Sequence, residues 1–265
     1  MDLNLKGRRA LVTGSTGGIG YATARELARL GAAVAINGRT PSRVAEAIAK
    51  LKIEVPGAEF LAAPGDLATA EGADSIIRAV PEADILVNNA GIFEPKPFFE
   101  IPDADWLRFF EVNVLSGIRL ARHYTPQMVK KGWGRVVFIS SESGVHIPAE
   151  MVHYGMTKTA QLAVARGLAE TVTGTGVTVN SVLPGPTLSE GVGTFMRQMA
   201  KGVTNPDLDQ MGRDFIHAHR PTSLLGRLAS IEEVANMIAY VCSPAASATT
   251  GAALRVDGGV VRSIV

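Results

Sequence analysis

Residues 9–20 read RALVTGSTGGIG and run directly into YATARELARL at 21–30. An apolar run of this kind is typical of a buried strand, and the second stretch has the spacing of an amphipathic helix. Between them, glycines let the backbone turn tightly and approach a ligand with no Cβ atom in the way. The free N–H groups at the start of the helix favour a pyrophosphate. The stretch predicts a dinucleotide-binding strand–turn–helix unit, although its spacing, G-x-x-x-G-x-G, is not the common G-x-G-x-x-G and a plain tight turn is the alternative.

Short apolar runs recur along the chain, and amphipathic stretches separate them. The runs lie at 9–13, 33–37, 84–88, 135–140 and 177–182, with weaker ones at 59–63 and 253–256. The helical stretches lie at 21–30, 43–51, 104–130 and 154–171. The runs are almost continuously apolar, as in strands that are covered on both faces. The alternation therefore predicts an α/β fold, in which helices cover both faces of a doubly wound parallel sheet of about seven strands.

No linker or change of composition divides the chain, so we expect residues 1–265 to form a single domain. Residues 189–222 fit the pattern worst, because they contain glycines, three methionines, two histidines and no strand. We interpret them as one or two short helices that form a small flap over the substrate. The apolar underside of this flap is expected to carry Phe195, Met196, Met199, Met211 and Phe215.

The composition disfavours several classes of partner. The chain has 265 residues, of which 46% are apolar and 19% charged, and its formal net charge is +1. This charge offers no field for a polyanion, and no basic stripe with interleaved aromatics is present, so nucleic acid is not an expected partner. The one cysteine, Cys242, excludes an internal disulfide framework or a cysteine-cluster metal site, and is interpreted as a buried hydrophobe. No set of histidines and carboxylates has the spacing of a metal site either.

The sequence also gives no sign of a membrane or of secretion. No signal peptide is apparent at the N-terminus, and no apolar run approaches the length of about 18 residues that a membrane span requires. The default expectation is a reduced, cytoplasmic setting.

The end of the second strand bears on the choice of cofactor. Enzymes that bind NAD usually carry an acidic residue here, which binds the ribose 2′-hydroxyl. This chain has Gly38 followed by Arg39, and a guanidinium can hold a 2′-phosphate with two parallel N–H donors. The pattern favours NADP(H) over NAD(H), with Asn37 and Ser15 as further donors. A solvated arginine that merely covers the adenine is the alternative.

Polar residues also follow the third and fourth strands. Asp66, in PGDLAT, can accept a hydrogen bond from an adenine amino group. VNNAG at 87–91 ends the fourth strand at the carboxyl edge of the sheet, where ligands of open α/β sheets bind. There we expect Asn88 to tie neighbouring loops together through its amide. Asn113 lies within a helical stretch, although asparagine is a poor helix former. Its presence there indicates either an interior hydrogen bond or a bound, ordered water, and the water is the preferred interpretation.

A further group of residues follows the fifth strand. Ser141 lies thirteen residues before Tyr154, and Lys158 lies four residues after it. The series along the chain is Thr13-Gly14-x-x-x-Gly18-x-Gly20, Asn88-Asn89-Ala90-Gly91, Asn113, Ser141, Tyr154-x-x-x-Lys158, Pro184-Gly185 and RVDGG at 255–259. In this series the chain resembles the short-chain dehydrogenase/reductase family, in its compact single-domain branch. The resemblance implies a Rossmann-like fold, a nicotinamide cofactor, often a homotetramer, and a catalytic group of Asn113, Ser141, Tyr154 and Lys158.

The same motifs give the candidate cofactor contacts. These are Gly14, Ser15, Gly18, Ile19, Gly20, Asn37, Arg39, Asp66, Leu67, Asn89, Ala90, Gly91, Tyr154, Lys158, Pro184, Gly185, Thr187 and Ser189. Two positions depart from the family pattern. Gly17 stands where NADP-using relatives often have a basic residue, and Ser189 takes the place of a threonine but keeps the hydroxyl. Thr187 is expected to hold the nicotinamide amide through its backbone.

Tyr154 and Lys158 can act together, because positions four apart share one face of a helix. A free phenol has a pKa of about 10. An ammonium roughly 4 Å away, at an effective dielectric of about 20, stabilises the phenolate by about 4 kcal/mol, or about three pKa units. We therefore expect Tyr154 to be the general acid/base and Lys158 to tune it and hold the ribose hydroxyls. Ser141 would bind the substrate carbonyl oxygen, and Asn113 would fix a water that relays protons.

The predicted activity is hydride transfer that interconverts an alcohol with a ketone or aldehyde. The expected substrate is a small molecule, of medium size and largely apolar. One alternative is a dinucleotide-binding sensor or scaffold without chemistry. Another is an enzyme of the same fold that acts on a carbon–carbon double bond or as an epimerase.

The histidines are expected to have lesser roles. His153 faces away from Tyr154 on the helix, which indicates packing or an interface. His146 is a candidate for the pocket lining, and His217 and His219 are expected to be solvated or to lie at the pocket rim.

Overall fold

Apart from two strands of two residues each, the strands form where the sequence has its short apolar runs, as a computed structural model covering residues 1–189, 192–194 and 207–264 shows. They are β1 (Arg9–Val12), β2 (Ala33–Gly38), β3 (Phe60–Pro64), β4 (Ile85–Asn88), β5 (Gly134–Ile139), β6 (Val177–Pro184), β7 (Thr187–Leu188), β8 (Ala229–Ser230) and β9 (Ala253–Val256). Seven of these strands form one parallel sheet in the order β3-β2-β1-β4-β5-β6-β9. The predicted doubly wound parallel sheet is therefore confirmed, and β7 and β8 form a separate pair.

The strand order reverses between β1 and β4, which are direct neighbours although the chain winds outward from β1 before it returns. In open α/β sheets, the crevice at such a switch point, beyond the carboxyl ends of the strands, is where ligands bind. The loops that follow β1 and β4 meet at this point, and the loops after β5 and β6 lie beside them.

Helices cover both faces of the sheet. They are α1 (Gly18–Arg29), α2 (Pro41–Glu54), α3 (Ala70–Ala79), α4 (Asp103–Phe110), α5 (Ser116–Lys131), α6 (Val152–Thr171), α7 (Leu208–His219) and α8 (Ile231–Cys242). None of the helices in the described ranges has both the length and the apolar character of a membrane span.

Neighbouring residues of one strand contribute to two different apolar clusters. Val12 packs in a cluster with α1, α2 and α8, whereas Leu11 packs in a cluster with α3, α5 and α6. This alternation follows from the pleat of a strand whose two faces are both covered. Cys242 is fully buried in the first cluster, as predicted, and burial raises the pKa of its thiol to about 12.

The predicted single helix over 104–130 is interrupted. Residues Glu111–Leu115 form a π-helical turn between α4 and α5, and Asn113 lies at its centre. Single π-helical turns occur mostly inside α-helices and frequently at functional sites. This turn widens the helix where the Asn113 side chain enters the interior.

Part of the predicted flap at 189–222 lies outside the described residues. Within the part that the structure describes, α7 caps its own start, since the Asp207 side chain accepts hydrogen bonds from the first turn. Met211 and Phe215 pack with Ile216 and Leu228 in a small apolar cluster, as expected of the flap's underside. Phe195, Met196 and Met199 fall among the residues that are not described.

Candidate active site

The glycine-rich turn after β1 is locked to the loop after β4. Gly14 adopts φ = 59°, a left-handed conformation that favours glycine. The Asn89 amide donates hydrogen bonds to the carbonyl oxygens of Thr13 at 2.9 Å and Gly14 at 3.2 Å. A Cβ atom on Gly20 would lie 2.5 Å from both the Asn89 Nδ2 atom and the Gly14 oxygen. The glycines are therefore required by a close approach of two loops.

The start of α1 is suited to an anion. Gly17 precedes the helix and has no side chain to cap it, so the first N–H groups of the helix have neither an intrahelical partner nor a side-chain cap. Gly18 and Ile19 lie in this first turn. A Cβ atom on Gly18 would lie 3.6 Å from the Cβ atom of Ser189, so the start of the flap lies against this turn. The geometry fits a pyrophosphate held between the two segments.

The end of β2 has no room for an acidic side chain. A Cβ atom on Gly38 would lie 2.5 Å from the Cγ2 atom of Thr16. The next residue, Arg39, is exposed and has no hydrogen bond or ion pair with any residue of the described ranges. Its guanidinium is thus available to a ligand at the ribose end of the crevice.

Ser15 and Asn37 are buried and hold the loops around this crevice together. The Ser15 hydroxyl donates to the Val12 carbonyl at 2.7 Å and accepts from the Asn37 N–H at 2.9 Å. The Asn37 side chain accepts from the Gly14 N–H at 3.0 Å and donates to the Ala63 carbonyl at 2.9 Å. Their proposed contact with a phosphate stays a prediction.

The remaining cofactor loops lie around the same crevice. Asp66 is exposed and its carboxylate accepts from the Ala68 N–H at 3.0 Å, whereas Leu67 is buried. The N–H groups of Asn89 and Ala90 donate to the Thr13 hydroxyl at 2.8 and 2.9 Å. After β6, the hydroxyl of the buried Thr187 donates to the Gly185 carbonyl at 2.9 Å. Pro184 ends β6 and Gly91 follows Ala90.

The prediction for Asn88 was wrong. Its side chain is buried, and neither amide atom has a hydrogen-bond partner in the part of the chain that the structure describes. The tie between the loops comes from Asn89 instead, because Asn89 lies just past the end of β4 and can reach the turn after β1.

Ser141 and Tyr154 form one wall of the crevice. Ser141 follows β5, and its hydroxyl accepts from the Ser143 N–H at 3.1 Å and donates to the Glu142 carboxylate at 2.5 Å. Tyr154 lies in the first turn of α6, and the edge of its ring meets Phe93 with the ring centres 6.4 Å apart. Burial raises the pKa of the Tyr154 phenol, with a further increase from Glu142, while the adjoining Ser141 hydroxyl and Arg220 act to lower it.

Lys158 lies beside the Tyr154 ring, and its amine is held by two acceptors of the protein. Its Nζ atom is 5.5 Å from the centre of the Tyr154 ring, and it donates to the Ile139 carbonyl at 2.9 Å and to Gln161 Oε1 at 3.2 Å. Burial lowers the pKa of Lys158 to about 8. Desolvation is the largest influence on the Tyr154 pKa and raises it, and the tuning of the phenol by Lys158 stays a prediction.

The Asn113 side chain forms interior hydrogen bonds, the less preferred of the two predicted alternatives. Its Oδ1 atom accepts from the Ile92 N–H at 2.8 Å, and its Nδ2 atom donates to the Ile92 carbonyl and the Thr157 hydroxyl, both at 3.0 Å. These bonds fix the loop that follows Gly91 onto α6. The Asn113 main-chain carbonyl accepts from the side chain of Gln161 at 2.6 Å.

Three residues of the site make contacts that the sequence did not predict. Glu142 and Arg220 form a buried ion pair at 3.2 Å beside Ser141, and Gln161 bridges Lys158 and Asn113. Arg220 lies 78 residues from Glu142 in sequence, so no local pattern could have paired them. Gln161 could have been found, because it lies three residues beyond Lys158 and therefore on the same helix face.

The histidines differ in exposure. His153 is fully buried, with its ring centre 4.0 Å from that of Phe109, so the predicted packing role is confirmed. His146, His217 and His219 are exposed, and the proposed roles of His146 in lining the pocket and of the other two at its rim stay predictions.

Comparison with known proteins identifies the family. A family profile described as short chain dehydrogenase matches residues 8–200. The uncharacterized oxidoreductase YvaG of Bacillus subtilis (strain 168) is 51% identical over 264 residues, which is 100% of each chain. The 3-oxoacyl-[acyl-carrier-protein] reductase of Aquifex aeolicus (strain VF5) is 34% identical over 98% of this chain and 100% of its own.

A solved structure agrees with this relationship along the whole chain. L-Sorbose reductase from Gluconobacter frateurii, complexed with NADPH and L-sorbose, is 31% identical, covers 100% of both chains and has a TM-score of 0.92. The chain therefore belongs to the short-chain dehydrogenase/reductase family, and it is an oxidoreductase that uses a nicotinamide dinucleotide.

Proposed function

We propose that this protein is an NADP(H)-dependent reductase that interconverts a ketone or aldehyde with an alcohol, with Tyr154 as general acid/base. The observation that supports this most directly is the common wall formed by Ser141 and Tyr154, beside the buried amine of Lys158. This wall lies at the carboxyl edge of the sheet, next to the glycine-rich turn. A hydroxyl donor and a proton donor are thus adjacent to a dinucleotide crevice, which is what carbonyl reduction needs.

The choice of NADP(H) rests on the end of β2. Gly38 leaves no space for the acidic side chain that binds a 2′-hydroxyl, and Arg39 is exposed and unpaired within the described ranges. A guanidinium here can bind a 2′-phosphate through two N–H groups. The similar L-sorbose reductase is complexed with NADPH, which supports the same choice for this chain.

The chemistry divides between the cofactor and the protein. When bound, the nicotinamide supplies the hydride to the carbonyl carbon. The Ser141 hydroxyl, which donates to Glu142 in this structure, turns to the carbonyl oxygen and stabilises the charge that develops there. Tyr154 donates its proton to that oxygen, and the Lys158 ammonium stabilises the resulting phenolate. In the oxidative direction the same groups act in reverse.

The substrate is proposed to carry hydroxyl groups near its carbonyl. Glu142 is buried next to Ser141 and pairs with Arg220, so the inner wall offers both an acceptor and a cation. By contrast, apolar surface is exposed by Phe93, whose ring meets that of Tyr154, and by Val145, which follows Ser141 by four residues. The polar inner wall favours a ketose-like or keto-acid substrate, and the L-sorbose bound by the similar reductase is consistent with that class.

The test is a panel of ketoses, keto acids, apolar ketones, aldehydes and alcohols, followed by nicotinamide absorbance with NADPH and NADH in parallel. We expect turnover with NADPH and a hydroxylated carbonyl compound. Tyr154→Phe should remove nearly all turnover while NADPH binding, measured by fluorescence titration, stays within about twofold of wild type. Comparable turnover in that variant, or a clear preference for NADH, would refute the corresponding part of the proposal. Adding enoyl compounds and sugar epimers to the panel tests the double-bond and epimerase alternatives.

We also propose that the chain forms a single domain and assembles as a homotetramer. The single domain is supported by the shared sheet, since both large apolar clusters pack on the same main sheet, one on each face. The tetramer rests on the family resemblance. Light scattering of the eluted protein should give about four times the chain mass of 27.9 kDa, and a monomer mass would exclude it.

A further inference from the structure

Gln161 lies between two residues of the catalytic group. Its side chain is 2% exposed. Its Oε1 atom accepts from Lys158 Nζ at 3.2 Å, and its Nε2 atom donates to the Asn113 carbonyl at 2.6 Å. One buried amide therefore connects the lysine of α6 to the π-helical turn that follows α4.

The chemistry of the two partners fixes the orientation of this amide. A main-chain carbonyl oxygen only accepts hydrogen bonds, so the NH2 group of Gln161 must face Asn113. The amide oxygen then faces the lysine, and an ammonium only donates. The flipped amide would set oxygen against oxygen and nitrogen against ammonium, which leaves both bonds unmade.

The lysine amine is held by neutral acceptors. An ammonium has three N–H donors, and the Ile139 carbonyl and Gln161 accept two of them. The third remains for the crevice, where a Cβ atom on Gly91 would lie 3.5 Å from Nζ. Burial works against the charge of Lys158, and the Gln161 amide is one of the two groups in the described ranges that accept a hydrogen bond from its amine.

The charged and titratable groups around this site are few in the described ranges. Tyr154 faces Lys158 from the same helix. Glu142, from the turn after β5, and Arg220, from the end of α7, act on Tyr154. Because these two form an ion pair with each other, their opposite charges largely offset one another at the lysine.

We propose that Gln161 is a positioning residue of the reductase reaction. Its amide is anchored to the Asn113 carbonyl, and from there it holds the Lys158 ammonium in place and stabilises the positive charge of that ammonium. The inference rests on the proposed function, because it assigns the residue a part in that same site. A purely structural glutamine would pack and stabilise the fold, but would not change how the lysine titrates.

The test compares Gln161→Met and Gln161→Glu with Thr159→Val. Methionine keeps the length of the side chain but removes both hydrogen bonds, whereas glutamate keeps an acceptor for the lysine and adds a negative charge. Thr159→Val is the matched control, since it also removes hydrogen bonds of α6, to the Gly144 and Gly155 carbonyls at 2.8 and 3.0 Å, without touching Lys158.

The main measurement is the pH profile of kcat/KM for carbonyl reduction, whose alkaline limb in the wild type is expected near pH 8. Removing the amide oxygen makes the ammonium easier to deprotonate, so in Gln161→Met the limb should move to lower pH by about one unit, with kcat reduced about tenfold. In Gln161→Glu the added negative charge disfavours loss of the first proton from the tyrosine–lysine pair, so the limb should move to higher pH. Thr159→Val should keep the wild-type limb.

The outcomes separate this proposal from the proposed function. If the wild type reduces no compound of the panel, the proposed function fails first. If the wild type is active and the limb of a folded Gln161→Met stays at the wild-type pH, the role of Gln161 is overturned. Should Gln161→Met not fold, as judged by circular dichroism, an unshifted limb in Gln161→Glu overturns it in the same way.

Discussion

At the scale of single residues, Gly20 is the position where one added methyl group should weaken cofactor binding most. In Gly20→Ala the Cβ atom would meet the Asn89 amide and the Gly14 carbonyl at 2.5 Å, so the two loops must separate. We expect the dissociation constant for NADPH, measured by fluorescence titration, to rise at least about tenfold, since a tenfold change requires only about 1.4 kcal/mol.

The matched control for this change is Gly167→Ala. Gly167 lies inside α6, where an added Cβ atom would meet nothing within 4 Å. Alanine is the better helix former, so Gly167→Ala should stabilise the protein by roughly 0.5–1 kcal/mol and leave NADPH binding unchanged. Equal affinities in the two variants would contradict the close approach of the loops.

A second prediction concerns Arg39 and the preference for NADPH over NADH. Replacing Arg39 with serine removes the guanidinium proposed to bind the 2′-phosphate, so kcat/KM for NADPH should fall about 10–100-fold, the range of one or two charge-assisted hydrogen bonds. The value for NADH should change little, because NADH has no 2′-phosphate. Arg122→Ser, which alters an exposed arginine of α5, is the control and should leave the ratio of the two cofactors at its wild-type value.

The residues of this site could be predicted from the sequence where they belong to a motif. The contacts that these residues make could not. Ser141, Tyr154 and Lys158 were identified from the ordered series of motifs and the family resemblance that it carries, and they do lie together. The position of the lysine amine depends on the Ile139 carbonyl and Gln161. A spacing of four residues gives the shared helix face but not the acceptors that hold the amine, so the position of the amine could not be predicted.

At the scale of elements, the packing of α4 against α6 centres on His153. Its ring lies 4.0 Å from the centre of Phe109 and 6.0 Å from that of Trp106. Neither ring nitrogen has a hydrogen-bond partner within the described ranges. Burial lowers the pKa of His153, an effect that Asp105 and Glu94 oppose and that Arg108 and Lys96 support.

This packing predicts a loss of stability in mild acid. An unfolded histidine binds a proton below about pH 6.5, whereas the buried ring resists protonation, so the unfolded state takes up more protons in this range. The free energy of unfolding should therefore fall as the pH drops below about 6.5, by up to about 1.4 kcal/mol per pH unit. Urea denaturation between pH 5.5 and 7.5 measures it.

The variant His153→Phe keeps an aromatic ring but has no side-chain group that binds a proton. Its free energy of unfolding should therefore depend less steeply on pH than that of the wild type. His217→Gln removes an exposed histidine of α7 and should keep the wild-type slope. A wild-type slope in His153→Phe would show that other groups cause the acid sensitivity.

The elements themselves were largely predictable, because apolar runs and helix periods are local properties of the sequence. The strands of the main sheet lie at the predicted positions. The break between α4 and α5 was not predicted, although Asn113 signalled an irregularity there. Its cause is tertiary, since the Asn113 side chain bonds to Ile92 and Thr157 on other segments. The pairing of β7 with β8 was not predicted either. Each of these strands has only two residues, which is too short for a recognisable apolar run.

At the scale of the whole molecule, both large apolar clusters depend on one sheet, and the crevice lies where that sheet changes winding direction. A ligand that bridges the loops after β1, β4 and β6 therefore connects segments that are far apart in sequence. Binding to the folded state alone must raise stability by mass action, and by about 2.7 kcal/mol at a ligand concentration of 100 times the dissociation constant.

The last prediction follows from this linkage. Saturating NADPH should raise the Tm in a single transition by roughly 5–10 °C, given the usual shift of a few degrees per kcal/mol for chains of this size. NADH at the same concentration should raise it less, because the 2′-phosphate contact is missing. Gly20→Ala should lose most of the NADPH shift, and Arg39→Ser should make the two cofactors equivalent. Differential scanning fluorimetry over a range of cofactor concentrations measures all four cases, and equal shifts for NADPH and NADH in the wild type would contradict the role of Arg39 without affecting that of Tyr154.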